Sequence, residues 1–337
     1  MQTNLKLTTG QEEAEMTQNT LIDFAVVGVV KGGTTSLYHY LNQHPEVFLP
    51  PIKETNHFAA ADIKKEDFLP TYAQDVAIDL DAYVKGSMNK QVHIAHVDDP
   101  AHYNALFRDV KNERAVGEIS NSYMICPSSA RAIHQHNPRT KIIVILRNPI
   151  RRAWSQYLMN LREAKTTRAD FIEELKSDSE ADKQGWGVSH QYLNLGMYYE
   201  QWKRYVVLFG SDRVLPVFYE EYRDNPQKTL SQIAKFLGVD ETYQFNFDVK
   251  SNAASMPRNA ALNKALVSSG LVKRIKDATP KNLRKYFAKA LYSDKNVPKL
   301  SSEHSEWLRR YYAEDVNRMR EFLGDRIDTF WPEFKDA

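Results

Sequence analysis

An α/β fold of three layers, with a central parallel β-sheet between two layers of helices, is predicted by three observations in this 337-residue chain. Phe24 to Val30 is fully apolar and runs into Lys31-Gly32-Gly33 and then a helical pattern, which reads as strand, tight loop, helix. The same strand-then-helix alternation recurs as far as residue 238, and alternation of that kind builds a parallel sheet covered on both faces. The composition, 42% hydrophobic and 26% charged, suits a globular core and not a disordered or fibrous chain.

Taken in order, residues 1–20 are polar and read as a loose tail, and residues 21–337 as one domain. After the first strand, a helix is expected from Thr34 to Gln43, stopping before Pro45. Arg114 to Glu118 reads as a strand, Pro127 to His136 as a helix, Lys141 to Leu146 as a buried strand, and Pro149 to Arg162 as a helix opened by its proline. Gln191 to Leu208 is expected to be one long aromatic helix, Arg213 to Phe218 a strand, and Pro226 to Leu237 a helix closed by Gly238. From Ala260 onward the pattern is helical, strongest from Ser301 to Phe322, where Ser301 or Ser302 supplies the N-cap. Two stretches break the alternation, residues 52–99 and 163–190, and long irregular insertions of this kind act as lids or substrate walls.

Several functions are excluded early. A single cysteine, Cys126, allows neither an intramolecular disulfide nor a cysteine-built zinc site. The apolar runs are far shorter than the roughly 20 residues that cross a bilayer. The first twenty residues lack the apolar core of a secretory leader, so a cytoplasmic location is the expectation. A net charge of +2 argues against a dedicated nucleic-acid binder. The charge is nonetheless uneven: residues 257–300 carry eleven Lys or Arg against Asp277 and Asp294. That segment is either a solvated helical face or a wall toward an anionic ligand.

Gly28 to Thr35 has the glycine spacing of a phosphate-binding P-loop, between a strand and a helix as that motif requires. Thr34, however, stands where the loop lysine of a nucleotide triphosphatase belongs, and the lysine lies inside the loop at Lys31. The backbone N–H groups of Gly32 to Ser36, with the hydroxyls of Thr34, Thr35 and Ser36, still form an anion cradle at a helix N-terminus. A second departure lies at the end of the strand Lys141 to Leu146, where a P-loop triphosphatase holds magnesium with an aspartate. Here the strand ends in Arg147, and the following helix carries Arg151, Arg152 and Ser155. Arginine and a hydroxyl suit a second phosphate, not a metal. The fold is therefore P-loop-like, with two anion sites and no metal ligand expected.

With these motifs in place, the sequence resembles the sulfotransferases that use 3′-phosphoadenosine 5′-phosphosulfate, PAPS, and leave adenosine 3′,5′-bisphosphate, PAP. The resemblance runs from about Leu21 to Pro332 through VVGVVKGGTTSLYHYL, FLPPIKETNHF, GEISNSY, KIIVILRNPIRRAWSQY and the C-terminal helix. It accounts for both departures: a sulfuryl group carries less charge than a terminal phosphoryl, so its transfer dispenses with magnesium, and the donor's 3′-phosphate needs a second site. It implies that Lys31, Gly32, Gly33, Thr34, Thr35 and Ser36 hold the 5′-phosphosulfate and that Arg147 and Ser155 hold the 3′-phosphate. Lys31 would neutralise the leaving oxygen. In the carbohydrate branch the glutamate of a Lys-Glu pair is the general base, which falls on Glu54 beside Lys53, with His57 as a rival. The stretch from Ser251-Asn252 to Arg258 resembles the loop that closes over the donor, and Tyr198-Tyr199 to Trp202 the family's segment near the nucleotide. Where glycosaminoglycan enzymes often carry a lysine after the glutamate of GEISNSY, this chain has Ile119, so a small metabolite or glycolipid acceptor is expected as readily as a polysaccharide.

Two alternatives stay open at this point, an atypical P-loop kinase and a non-catalytic nucleotide-binding protein. His93 and His96 with Asp98 and Asp99 lack the spacing of a helical zinc pair, and no serine sits in a G-x-S-x-G elbow.

Overall fold

A computed structural model describes residues 21–166, 170–180, 186, 190–248, 256–269, 291–293, 295 and 297–335. The N-terminal tail, Ser251, Asn252 and most of the basic segment 257–300 lie outside the described residues.

Nine strands and six helices carry the description. The strands are β1 (Phe24–Gly28), β2 (Val47–Phe48), β3 (Ile52–Glu54), β4 (Val92–Ile94), β5 (Ala115–Ile119), β6 (Lys141–Leu146), β7 (Val214–Phe218), β8 (Met256–Pro257) and β9 (Tyr292–Ser293). The helices named here are α1 (Thr34–Leu41), α2 (Ser129–His136), α3 (Pro149–Arg162), α4 (Tyr199–Phe209), α5 (Pro226–Leu237) and α6 (Ser302–Leu323).

The main sheet has five strands in the order β2-β5-β1-β6-β7, and its pairings are parallel. Alternate residues of the central strands face opposite ways, and both faces are buried. Phe24, Val26, Ile143 and Ile145 pack with Leu37, Leu41, Leu230 and Ile233, so α1 and α5 cover one side. Ala25, Val27, Ile142 and Val144 pack with Ile133, Tyr157, Trp202 and Tyr312, so α2, α3, α4 and α6 cover the other. This is the predicted three-layer arrangement, and it explains why these strands are apolar throughout instead of alternating. β1 lies in the middle, and the loops following β1, β5 and β6 meet at the carboxyl edge of the sheet, where ligands of open α/β sheets bind.

Lys141–Leu146, Pro149–Arg162 and Pro226–Leu237 fall where their sequence signals put them, and Gly238 ends α5 with a left-handed φ of 85°. Ser301 caps α6, its hydroxyl accepting from the His304 N–H at 3.1 Å. One expectation is corrected. The helix predicted over Gln191 to Leu208 is divided into a short 3₁₀ turn, Asn194–Gly196, and α4, which begins only at Tyr199. The causes are tertiary: Gly196 presses on the Tyr312 ring so closely that a Cβ there would sit 2.7 Å from it. Asp315 of α6 then accepts from the N–H groups of Tyr198 at 2.6 Å and Tyr199 at 3.1 Å, capping α4 from another element.

The irregular stretch 52–99 holds a two-stranded parallel ribbon, β3 with β4, which pairs Glu54 with Ile94. A second ribbon, β8 with β9, is antiparallel and packs beside α3.

Candidate active site

The loop after β1 is shaped by its glycines and by one strained lysine. Gly32 lies under the sheet edge, where a Cβ would meet the Ile145 carbonyl at 2.7 Å, and Gly33 has φ 93°, so both positions require glycine. Lys31 itself has a left-handed φ of 67°, an uncommon conformation for a side-chain-bearing residue. α1 starts at Thr34 with no acidic residue in its first turn, so its unpaired N–H groups face the loop with the positive end of the helix dipole.

Arg147, at the tip of β6, reaches into this loop. Its Nη1 donates to the Lys31 carbonyl at 2.7 Å, and its guanidinium lies 4.5 Å over the Tyr219 ring. Its Nε is buried with no hydrogen-bond partner among the described residues. The strand after which a metal-binding acid would follow thus carries a cation tied to the phosphate loop. Asn148 caps α3 by accepting from Ile150 and Arg151, and Ser155 lies half-buried further along that helix.

Positive charge accumulates here, with Glu163 beside Arg162 and Glu220 near Arg147 offsetting part of it. The Lys31 ammonium donates to the Met159 thioether at 3.4 Å, a weak acceptor that leaves its charge largely unbalanced. Burial, then the nearby Arg162, Arg147 and Arg152, lower its pKa to about 8 against a partial opposing pull from Glu163. Burial also lowers the pKa of Arg147. Arg152 is fully buried, donating to Gln156 Oε1 at 2.7 Å and to the Tyr192 carbonyl. Such a cluster is costly unless an anion completes it.

Glu54 ends β3 and is 4% exposed. Lys53, itself buried, donates to Glu54 Oε1, and Asn121 Nδ2 donates to the same oxygen at 3.0 Å. His93 on β4 feels the charges of Glu54 and of Glu163, and Glu163 also acts on Lys31.

His57 occupies different surroundings. Its ring stacks on Tyr103 at 4.0 Å, its Nδ1 bonds the Val97 carbonyl at 2.8 Å, and the charges acting on it are Asp98 and Asp99. It lines a surface cavity of about 420 Å³ with Ser128, Arg131 and Gln135, none of them residues of the phosphate loop. His93 and His96 also diverge, the latter lying against Phe68 and 3.9 Å from Asp98. Arg258 is exposed at the end of β8, its N–H donating to the Leu291 carbonyl at 2.9 Å. The helix that follows it is tied to α3 by the bond from Asn263 Nδ2 to the Arg162 carbonyl at 2.8 Å. Tyr198 donates its hydroxyl to the Arg147 carbonyl at 2.8 Å, which fixes the aromatic segment to the strand tip.

The family model described as the sulfotransferase family matches residues 23–243. The chain belongs to the sulfotransferase family. That membership makes it a transferase of sulfuryl groups and sets aside the kinase alternative. The matched span covers β1 through α5, so the loop lysine, the Lys-Glu pair and the Arg147 strand tip lie inside it.

Among relatives of this sulfotransferase, the human heparan sulfate glucosamine 3-O-sulfotransferase 6 is 25% identical over 270 residues, 75% of this chain and 67% of that protein. The mouse bifunctional heparan sulfate N-deacetylase/N-sulfotransferase 4 is 24% identical over 69% of this chain but only 24% of its own length. A sulfotransferase crystal structure from Alicyclobacillus acidocaldarius superposes with a TM-score of 0.67 at 25% identity, covering 90% of this chain and 96% of that one. Among the described residues no helix is long and apolar enough to cross a membrane.

Three contributors were not singled out in the sequence. Asn121, Met159 and Tyr219 touch Glu54, Lys31 and Arg147, respectively, from remote elements, and no spacing rule connects them to those partners.

Proposed function

We propose that this sulfotransferase takes its sulfuryl group from PAPS and passes it to a hydroxyl or amine of a carbohydrate, glycolipid or small metabolite, in the cytoplasm and without a metal. The observation that carries the donor reading is the bond from Arg147 to the Lys31 carbonyl at 2.7 Å, which ties the arginine at the tip of β6 to the loop after β1. Among the described residues, those present fit such a donor: a glycine loop where a Cβ at Gly32 would meet the Ile145 carbonyl, an arginine Nε with no partner, and a lysine whose side chain donates to a thioether.

The donor supplies an activated sulfuryl group on the oxygen of a 5′-phosphate, and the chain's residues act around its transfer. The Gly32 N–H is taken by the Val29 carbonyl at 2.9 Å, so the N–H groups of Gly33 to Ser36 and the hydroxyls of Thr34, Thr35 and Ser36 receive the 5′-phosphosulfate, while Arg147 and Ser155 receive the 3′-phosphate. As the bond from sulfur to the phosphate oxygen breaks, the Lys31 ammonium offsets the charge gathering on that oxygen. As the bond from sulfur to the acceptor forms, Glu54 takes the acceptor's proton. Arg258, on the ribbon beside α3, closes over the donor. His57 is the less favoured base, because its ring is engaged by Tyr103 and the Val97 carbonyl.

Sulfur-labelled PAPS incubated in EDTA with a panel of amino sugars, heparan-type oligosaccharides, glycolipids and phenols tests the reading. Label in any acceptor supports it; a demand for magnesium, or transfer from ATP in its place, overturns it.

A further inference from the structure

The segment Gly117–Tyr123, GEISNSY in the sequence, is hydrogen-bonded repeatedly to the segment Glu54–Phe58. Glu118 is fully buried, and the hydroxyls of Thr55, Tyr103 and Tyr123 donate to its carboxylate at 2.5, 2.9 and 2.9 Å. Asn56 donates its N–H to Ser120 Oγ at 3.2 Å, and Ser122 Oγ donates to Asn56 Oδ1 at 2.5 Å. Phe58 N–H donates to the Tyr123 hydroxyl at 3.3 Å. Asn121 lies in the middle of this ladder and is the rung that reaches Glu54.

Two features of Asn121 bear on Glu54. Among the described residues its Oδ1 is buried with no hydrogen-bond partner, so the side chain bonds through Nδ2. Turning the amide over would set Oδ1 against the Glu54 carboxylate, so the donor role is the one this site enforces. Both donors to Glu54, Lys53 and Asn121, also converge on Oε1, which leaves Oε2 as the oxygen available to a proton from outside.

We infer that Asn121 is a positioning residue that fixes the Glu54 carboxylate with Oε2 toward the acceptor, and that the Glu118 hydroxyl cluster holds Asn121's segment in place to do so. This rests on Glu54 being the base. Ordering a carboxylate before reaction raises the rate of the chemical step without changing donor affinity, because among the described residues the Asn121 side chain bonds Glu54 and not the side chains of the loop after β1.

A double-mutant cycle on the full chain tests this, read as PAP released from saturating PAPS with the best acceptor of the panel, or with water as acceptor. PAP affinity and melting temperature are measured alongside. Asn121→Asp keeps the shape but replaces the donor by an acceptor; it is expected to lower kcat about tenfold or more with PAP affinity within about twofold. In a Glu54→Gln background the same change is expected to cost almost nothing further, since the carboxylate it orients is gone. If Asn121→Asp folds poorly, Asn121→Ala carries the same cycle. An equal loss in both backgrounds, an unchanged kcat, or a kcat loss that follows PAP affinity and melting temperature overturns the inference alone. Full rate in Glu54→Gln overturns the base assignment and the inference together.

Discussion

The Arg147 guanidinium holds the backbone carbonyl of Lys31 at 2.7 Å, so the residue at the tip of β6 fixes the conformation of the loop after β1. On the proposed donor reading, Arg147→Ala removes a phosphate ligand and loosens the loop at once. PAP affinity is expected to fall about 10- to 100-fold, the value of one or two charge-assisted hydrogen bonds. Arg147→Lys should restore little, because a point charge lacks the fork that spans carbonyl and phosphate. Isothermal titration with PAP measures both.

Ligand selectivity follows from the same pair of sites. PAP is expected to raise the melting temperature well above the shift given by ADP or AMP at equal concentration, and EDTA to leave that shift unchanged. Equal shifts for PAP and ADP would remove the 3′-phosphate from Arg147 and Ser155.

Lys31 predicts a pH dependence with a definite sign. Its pKa in the fold is lowered from 10.5 to about 8, so it is cationic below that pH and loses its charge above it. Because kcat/KM reports the free enzyme, kcat/KM for the donor should decline as pH rises through about 8. Anionic donor favours the ammonium, so the corresponding limb of kcat should lie at higher pH. Lys31→Arg should lose the limb.

The same shift has a stability consequence of opposite direction. The unfolded chain keeps this lysine charged up to 10.5, whereas the fold disfavours the charge, so the penalty is complete below about 8 and vanishes as pH rises to 10.5. Lys31→Met should therefore stabilise the apo protein at pH 7, by up to about 3 kcal/mol, and this gain should shrink in alkali. Urea unfolding at two pH values checks it.

The base assignment is tested by comparing Glu54→Gln with His57→Ala. The first is expected to lower kcat by about 10²- to 10⁴-fold with normal PAP binding, the usual cost of losing a general base. His57→Ala should cost less, since the ring sits between Tyr103 and Val97. A deeper loss in the histidine variant would move the role to His57.

Local signals were enough for the parts of this protein that are local. Apolar strands, prolines at the first turn of α3 and α5, Gly238 after α5 and Ser301 before α6 act on backbone within a few residues, and the strands and helices they mark are found there. The phosphate loop was legible for the same reason, because its glycines, Lys31 and the α1 terminus form one continuous turn. Helix α4 was misjudged at its start, because its cap is Asp315, more than a hundred residues away.

What the sequence determined by itself was a parallel-sheet fold with a glycine loop at one strand end and an arginine at another, since residue type and spacing specify backbone conformation directly. Only the tertiary structure decided which side chains work together. It brought Arg147 to the Lys31 carbonyl, Met159 to the Lys31 ammonium and Asn121 to Glu54, and it turned His57 into a stack with Tyr103. Those pairings depend on the order of strands in the sheet, which places β5 and β6 on either side of β1, and strand order is set by packing both sheet faces at once, not by any short stretch of chain.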